Sequence, residues 1–295
     1  MHRLYRAGAA ALMAAALGSV QAQTSVSTQP ETPPSREPEA AAAPAPAPEN
    51  VVKAVPKFEG ALGLVLANKP AFSGSSDRKL TPQLAGFVRY GRFTLTGAGG
   101  FTTRRQDDVE RGLDAELLRR DRVRINLSLR YDQGRSESES DQLTGMGNIK
   151  HTVRSRLRLR WEPAPQWELS LASGLDLLGT GGGYTVEAGV SRTFVVDARQ
   201  RVILGAALVG AGDRYLQTWY GVTAEQSARS GYPAYEPSGG LRDVHTSATW
   251  RIEVNPEWAG FASIGASRLL GPAADSPLTR QRNSHSISAG IARRF

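Results

Sequence analysis

Two stretches alternate strictly between apolar and polar side chains, and they limit the possible fold more than any other feature. In residues 123–131 every odd position is apolar and every even position is polar. In residues 151–161 the apolar face holds Val153, Leu157, Leu159 and Trp161, and arginines occupy the other face. A period of two indicates a β-strand with one apolar and one polar face. About ten residues with an aromatic at one end is typical of a strand that spans a membrane.

Similar strand signals recur down the chain, with turn residues between them. They predict strands at residues 58–66, 83–90, 92–100, 113–120, 123–131, 151–161, 167–178, 184–194, 201–210, 244–252, 257–267 and 284–295. Short connections alternate with long ones, apart from the short connection at residues 179–183. Short turns at one end and long loops at the other are typical of bacterial outer-membrane barrels. The predicted fold is therefore an all-β, transmembrane, antiparallel up-and-down β-barrel of about 12 strands over residues 57–295.

A soluble β-sandwich is the alternative interpretation of alternating strands, but it would use short loops at both ends. Residues 1–22 are predicted to be a signal peptide, because His2, Arg3 and Arg6 precede an apolar run and Val20-Gln21-Ala22 resembles a cleavage site. Residues 23–56 are rich in Pro and Ala and hold little apolar bulk, which predicts a disordered tract. We expect an even number of strands to place both termini on the periplasmic side.

The formal charge of +8 does not indicate nucleic-acid binding, because the arginines fall on alternate strand positions rather than in one helix or tail. The chain has no cysteine, so it can form neither a disulfide nor a thiolate metal site.

The same alternation predicts a dense charge network facing the barrel lumen. It contains arginines and acids from four neighbouring strands: Arg124, Arg130, Arg154, Arg156, Arg158, Arg160, Asp114, Glu116, Glu168 and Asp176. Charges this close need partners of opposite sign. Two interpretations stay open: a salt-bridged, largely blocked lumen, or a constricted channel that favours anions.

Catalytic interpretations have little support. His245 with Ser247, and His285 with Ser284 and Ser286, are candidate base and nucleophile sets. A hydrolase would also need a third orienting group and an oxyanion site, and the sequence shows neither. We therefore expect a non-catalytic protein without a cofactor or a metal, and we interpret the acids at 107, 108 and 110 as a solvated external loop.

The long loop at residues 211–243 carries five aromatic side chains, namely Tyr215, Trp219, Tyr220, Tyr232 and Tyr235. Aromatics in so long a loop indicate that it packs on itself or folds into the barrel mouth. A binding surface is the alternative, with Trp219, Tyr220, Tyr232 and Tyr235 as candidate contacts.

Several stretches resemble the MltA-interacting protein family, also called MipA/OmpV. They are Phe-Ser-Gly-Ser-Ser-Asp-Arg at 72–78, Trp-Tyr-Gly-Val at 219–222, Ser-Gly-Tyr-Pro-Ala-Tyr at 230–235, Gly-Gly-Leu-Arg-Asp-Val at 239–244 and Ser-Arg-Leu-Leu-Gly at 267–271. The resemblance implies a protein of the outer membrane, in contact with its lipid. It also implies a scaffold joining a lytic transglycosylase to a bifunctional penicillin-binding protein during cell-wall growth, whereas other members are adhesins or antigens. A terminal strand ending on Phe295 resembles the signal for barrel assembly.

Overall fold

The computed structural model describes residues 58–97 and 111–295, which form one closed antiparallel barrel of twelve strands. The strands are β1 (Phe58–Pro70), β2 (Arg78–Tyr90), β3 (Phe93–Thr96), β4 (Gly112–Arg120), β5 (Val123–Asp132), β6 (Thr152–Trp161), β7 (Trp167–Asp176), β8 (Tyr184–Val195), β9 (Gln200–Ala211), β10 (Gly240–Glu253), β11 (Trp258–Leu269) and β12 (Asn283–Arg294). Each strand pairs with its neighbours in sequence, and β1 closes the ring against β12. The predicted fold class is confirmed.

The outer face of the barrel is apolar and exposed. Leu62 and Leu64 of β1, Leu84 of β2 and Ile264 of β11 all have more than half of their surface exposed. This much apolar surface is unfavourable in water but suits a lipid environment. Aromatic residues mark the outer face near the end of the barrel where β1 begins: Phe58, Tyr90, Phe93, Trp161, Trp167, Phe194, Trp250, Trp258 and Phe295. They lie where an interfacial girdle is expected.

The two ends of the barrel differ in their connections. At the end that holds Phe58 and Phe295, called here the termini end, the strands are joined by tight turns. One is the Gly91-Arg92 turn, where Gly91 has φ of 58°, a left-handed conformation that glycine adopts without steric cost. At the opposite end, called here the cap end, the connections are long. They hold the short helices α1 (Asp213–Tyr220), α2 (Ala224–Ser230) and α3 (Gly271–Ala274).

Within residues 58–97 and 111–295, no helix has both the length and the apolar character to cross a membrane. The predicted strands are all present, and several extend further toward the cap end than predicted. The loop predicted at residues 211–243 is shorter, because β10 begins at Gly240. The predicted signal peptide, the Pro/Ala-rich tract and the acids at 107, 108 and 110 lie outside the described residues.

An apolar cluster fills part of the lumen near the termini end. Phe87 of β2 and Phe261 of β11 face inward and are only 2% and 6% exposed. They lie in one buried cluster with the small side chains Ala61, Val65, Ala85 and Ala292. The close packing needs glycine at position 290, where a Cβ atom would lie 2.7 Å from the Phe261 ring. We call these residues the lumen floor.

Replacing Leu157 with Arg should test which face of β6 meets lipid. Leu157 lies mid-strand on the outer face and is 47% exposed. An Arg near the bilayer midplane should cost about 2–4 kcal/mol of unfolding free energy. Denaturant titration of the barrel in lipid vesicles measures the change, with Leu157→Ile as the apolar control. Equal stability of the two variants would contradict the assigned face.

Candidate functional site

The register of β5 and β6 places arginines directly opposite one another inside the lumen. Arg124 pairs in register with Arg160, and Arg130 pairs with Arg154. Like charges directly opposite in a β-ladder are destabilising. The guanidinium group stays protonated in proteins, so the repulsion cannot be relieved by losing a proton. Each pair therefore needs a neighbouring anion.

In each pair, one carboxylate contacts both arginines. Glu168 is 3.0 Å from Arg124 and 3.5 Å from Arg160. Asp132 is 2.6 Å from Arg154 and 3.8 Å from Arg130.

A third carboxylate bridges two arginines of the same strand. Glu187 of β8 lies 2.7 Å from Arg156 and 3.5 Å from Arg158. We call the three groups bridged units; in each, one acid contacts two arginines. In the unit at the termini end Arg124 also lies 2.6 Å from Glu162, so two arginines face two acids there, whereas each of the other two units has a single bridging acid. Together they run along the inner face of β6 from the termini end to the cap end.

The other predicted lumen acids lie around these units. Asp114 accepts a 2.8 Å hydrogen bond from the amide of Asn126, which itself lies 3.3 Å from Arg160. Glu116 is 2.5 Å from Arg119 and 4.0 Å from Arg89.

Asp176 binds the connection between β7 and β8. It accepts hydrogen bonds from the Thr152 hydroxyl and from the backbone N–H groups of Gly182 and Leu178, at 2.7 Å and 3.2 Å for the two backbone groups. Asp176 therefore shapes a loop at the cap end.

Two of the three bridging acids were not among the predicted lumen residues. Asp132 directly follows the alternating stretch of β5 and keeps its inward phase, and Glu187 is the inward acid of β8. The alternation alone could have placed both inside the lumen. The sequence could not show which arginines they reach, because that depends on strand stagger and barrel closure.

The connections at the cap end form a packed cap. Arg135, only 5% exposed, is central to it. Its guanidinium lies 5.7 Å from the ring centroid of Phe72 and 6.0 Å from that of Trp219, and it donates a 2.9 Å hydrogen bond to the Trp219 carbonyl. Burial lowers the pKa of Arg135 to about 10. Arg135 thus ties three connections together.

The predicted loop aromatics contribute to the same cap. Tyr220 is buried and donates to the Ser73 hydroxyl at 2.9 Å, and burial raises its pKa to about 12. Tyr232 and Tyr235 donate to backbone carbonyls of the two neighbouring connections, at 3.1 Å and 2.9 Å. Leu216, Ala273 and Leu278 are buried cap residues that anchor its apolar interior.

Helix α1 places two aromatic rings beside Arg154 and Arg242. Tyr215 and Trp219 stack with ring centroids 6.0 Å apart. The Arg154 guanidinium lies 5.2 Å from the Tyr215 centroid and 5.7 Å from that of Trp219, and Arg242 lies 5.5 Å from Tyr215. These cation–π contacts connect the cap to the uppermost bridged unit. The long loop therefore folds into the mouth as well as packing on its neighbours.

Two cavities lie beneath the cap and share Arg130, Tyr215 and Arg242 in their walls. The larger cavity, about 630 Å³, is bounded by the hydroxyl-rich inner faces of β10, β11 and β12. The smaller cavity, about 450 Å³, is bounded by the arginines of β5 and β6 and by Glu187. We call them the hydroxyl cavity and the arginine cavity.

One candidate catalytic set gains a third member. The ring of His245 lies 3.2 Å from a carboxylate oxygen of Asp243, the orienting acid that the sequence did not show. In the described ranges 58–97 and 111–295, no hydrogen bond joins His245 to Ser247 or to another serine. His285 faces outward on β12, away from the lumen-facing Ser284 and Ser286. The same ranges hold no group of three metal-binding side chains.

A family model described as MltA-interacting protein MipA matches residues 62–295. The chain belongs to the MipA family. The stretches at 72–78, 219–222 and 230–235 hold the cap together through Phe72, Ser73, Trp219, Tyr220, Tyr232 and Tyr235. No curated protein matches the chain.

Solved structures similar to this MipA-family chain are other barrels. They include the NanC porin, at 7% identity and a TM-score of 0.41 over 79% of this chain and 98% of that one. A loop-deletion variant of OmpT of Vibrio cholerae is 8% identical, with a TM-score of 0.35 over 81% and 98%. The N-terminal barrel of Pseudomonas aeruginosa OprF is 11% identical, with a TM-score of 0.26 over 59% and 96%. The fold assignment rests on the strand pairing of this chain.

Replacing Arg135 with Met should loosen the cap while leaving the barrel intact. The variant keeps an apolar stem but loses the contacts to Phe72 and Trp219. Loss of a hydrogen bond from a charged donor costs roughly 1.5–3 kcal/mol, so local opening should become at least tenfold more frequent. Hydrogen exchange of residues 212–239 measures the opening. Arg192→Met, which removes an arginine stacked on Trp167 and Phe194 near the termini end, is the control and should change exchange of residues 212–239 little. Unchanged exchange in both variants would contradict the role of Arg135.

Proposed function

We propose that this protein is a non-catalytic outer-membrane scaffold for peptidoglycan-remodelling enzymes, with a lytic transglycosylase and a bifunctional penicillin-binding protein as its partners. The family match carries the proposal, because the family is described by its interaction with MltA, which is a lytic transglycosylase. Because these enzymes act in the periplasm, the proposal places the termini end on the periplasmic side and the cap on the outer side.

The packing of the lumen near the termini end supports a scaffold over an open pore. The lumen floor places Phe87 and Phe261 across part of the interior. Nearby, Arg89, Thr94 and Arg294 are buried inward-facing side chains, so the termini end is packed with polar as well as apolar groups. A rigid, packed end gives a partner a fixed surface to bind, which lowers the entropy cost of association.

The turns of the termini end supply the charged groups for such a surface. Arg120 is the last residue of β4 and Asp121 begins the turn to β5; their side chains are 82% and 89% exposed. Arg199 is exposed in the turn between β8 and β9, and Arg293 pairs with Glu257 at 3.0 Å. Exposed charges of this kind affect the association rate and partner choice more than the affinity.

A pull-down with the purified barrel tests the scaffold. Immobilised wild-type protein should retain a purified lytic transglycosylase and a penicillin-binding protein. Arg120→Glu/Arg199→Glu should reduce retention several-fold, because it reverses two charges of the proposed surface. Arg280→Glu changes one exposed charge at the cap end and serves as the far-side control. If neither enzyme is retained, or if the cap-end variant loses both equally, the scaffold proposal is wrong.

A second candidate function is a narrow passage for anions. The observation that favours it is the arginine cavity, whose wall contains Arg130, Arg154, Arg156 and Arg158. Positive side chains around a constriction favour anion entry. In this alternative a solute would have to pass the lumen floor.

Planar-bilayer recordings separate a closed scaffold from a channel. Wild-type protein should show no steady conductance, because the lumen floor is packed. Phe87→Ala/Phe261→Ala should open a measurable anion-preferring conductance, and adding Arg156→Ala/Arg158→Ala should reduce the anion preference. Steady wild-type conductance that falls when Arg156 and Arg158 are replaced would instead support the channel.

A further inference from the structure

We propose that the hydroxyl cavity and the arginine cavity together bind one small hydroxylated carboxylate, the chemistry of an acidic sugar. The site lies between the cap and the lumen floor. The proposal is independent of the scaffold, because it concerns the opposite end of the barrel and a different ligand.

The charge in the walls favours an anion. Six arginines line the arginine cavity, and Glu187 is the one acid among its described lining residues. The acids beside these six arginines are Glu187, Asp132, Asp243 next to Arg242 and Asp176 next to Arg154, which leaves a formal excess of 6 − 4 = +2. Because arginine keeps its proton, this excess persists across the physiological pH range. In a partly enclosed lumen its field is less screened than at an open surface.

Because the cations in the wall are guanidinium groups, a carboxylate is the favoured anion. A guanidinium group offers a planar fork of N–H donors that matches the two oxygens of a carboxylate. Arg130 has an ion-pair distance of 3.8 Å to Asp132, whereas Arg154 lies 2.6 Å from the same acid. Arg130 is also shared by both cavity walls. In each of the two bridged units beside the arginine cavity, one arginine is more open to the cavity: the side chain of Arg130 is 49% exposed against 15% for Arg154, and that of Arg156 is 34% exposed against 19% for Arg158. We therefore assign Arg130 and Arg156, the more exposed arginines, as the residues that hold the carboxylate.

The hydroxyl groups of the opposite wall indicate that the rest of the ligand is a polyol. Ser247, Ser263, Ser267, Ser284 and Ser286 from three adjacent strands line the hydroxyl cavity. Two hydroxyl–hydroxyl contacts, Ser267 with Ser284 at 2.8 Å and Thr249 with Ser263 at 2.9 Å, show that this wall already forms hydroxyl networks. Serine hydroxyls both donate and accept, as sugar hydroxyls do. Serine side chains are also small, so they leave space in the cavity for a ligand.

The size and enclosure fit a small molecule. The hydroxyl cavity alone has about 630 Å³, within the roughly 300–1,000 Å³ typical of small-molecule sites. Tyr215 and Trp219 of the cap form part of its upper wall. Local opening of the cap is therefore the expected entry route from the outer side.

Calorimetry on the full-length barrel in detergent, with three probes, tests the site. Glucuronate has both the carboxylate and the hydroxyls, glucose lacks the charge, and acetate lacks the hydroxyls. We expect glucuronate to bind at least tenfold more tightly than either of the others, and its affinity to fall with added salt.

Variants distinguish the two walls. Arg130→Gln/Arg156→Gln should weaken glucuronate binding at least tenfold, and Arg130→Lys/Arg156→Lys, which keeps the charge, should retain part of it. Ser263→Val should weaken glucuronate binding several-fold and leave acetate unaffected. Arg192→Gln is the matched control, because Arg192 faces outward and stacks on Trp167 and Phe194.

Heat-modifiable gel mobility checks that each barrel is folded. If glucuronate produces no heat with the folded wild-type protein, the proposal is wrong. It is equally wrong if glucose binds as tightly as glucuronate, or if the lysine and glutamine double variants both bind like wild type.

Discussion

The rest of the lumen depends on how the barrel accommodates arginines that face one another across β5 and β6. The register sets Arg124 opposite Arg160 and Arg130 opposite Arg154. Without acids between them, these pairs would repel inside a poorly screened interior. Glu168 and Asp132 each contact both members of one pair. These acids hold the barrel together across three strands, and the arginines remain in excess only toward the cap end.

This arrangement makes the two halves of the lumen different. Toward the termini end, Phe87 and Phe261 pack in an apolar cluster, while the arginines there are held by Glu168. Toward the cap end, the walls separate into an arginine side and a serine side with open volume between them. The lumen is therefore a chamber with a floor and a cap rather than a uniform tube. The proposed scaffold surface lies at the termini end, and the proposed ligand site lies beneath the cap.

The stretches that resemble the family have a structural explanation in the cap. Phe72 contacts the buried Arg135, and Ser73 accepts from Tyr220. Tyr232 and Tyr235 fasten their loop to neighbouring connections. A loop packed in this way carries many specific contacts, so its sequence is more constrained than that of a solvated loop. The resemblance therefore reports the construction of the cap, and it does not identify a partner surface at the termini end.

The sequence by itself determined the strands, their two faces and the alternation of short and long connections. Each follows from local rules: a period of two places Arg124 and Arg130 on the inner face and Leu127 and Leu129 on the outer one. Only the closed barrel decided which charges meet. Glu187 reaches Arg156 and Arg158 across an intervening strand, because closure and strand stagger bring them together. The cap likewise depends on contacts between connections far apart in sequence, which no local pattern encodes.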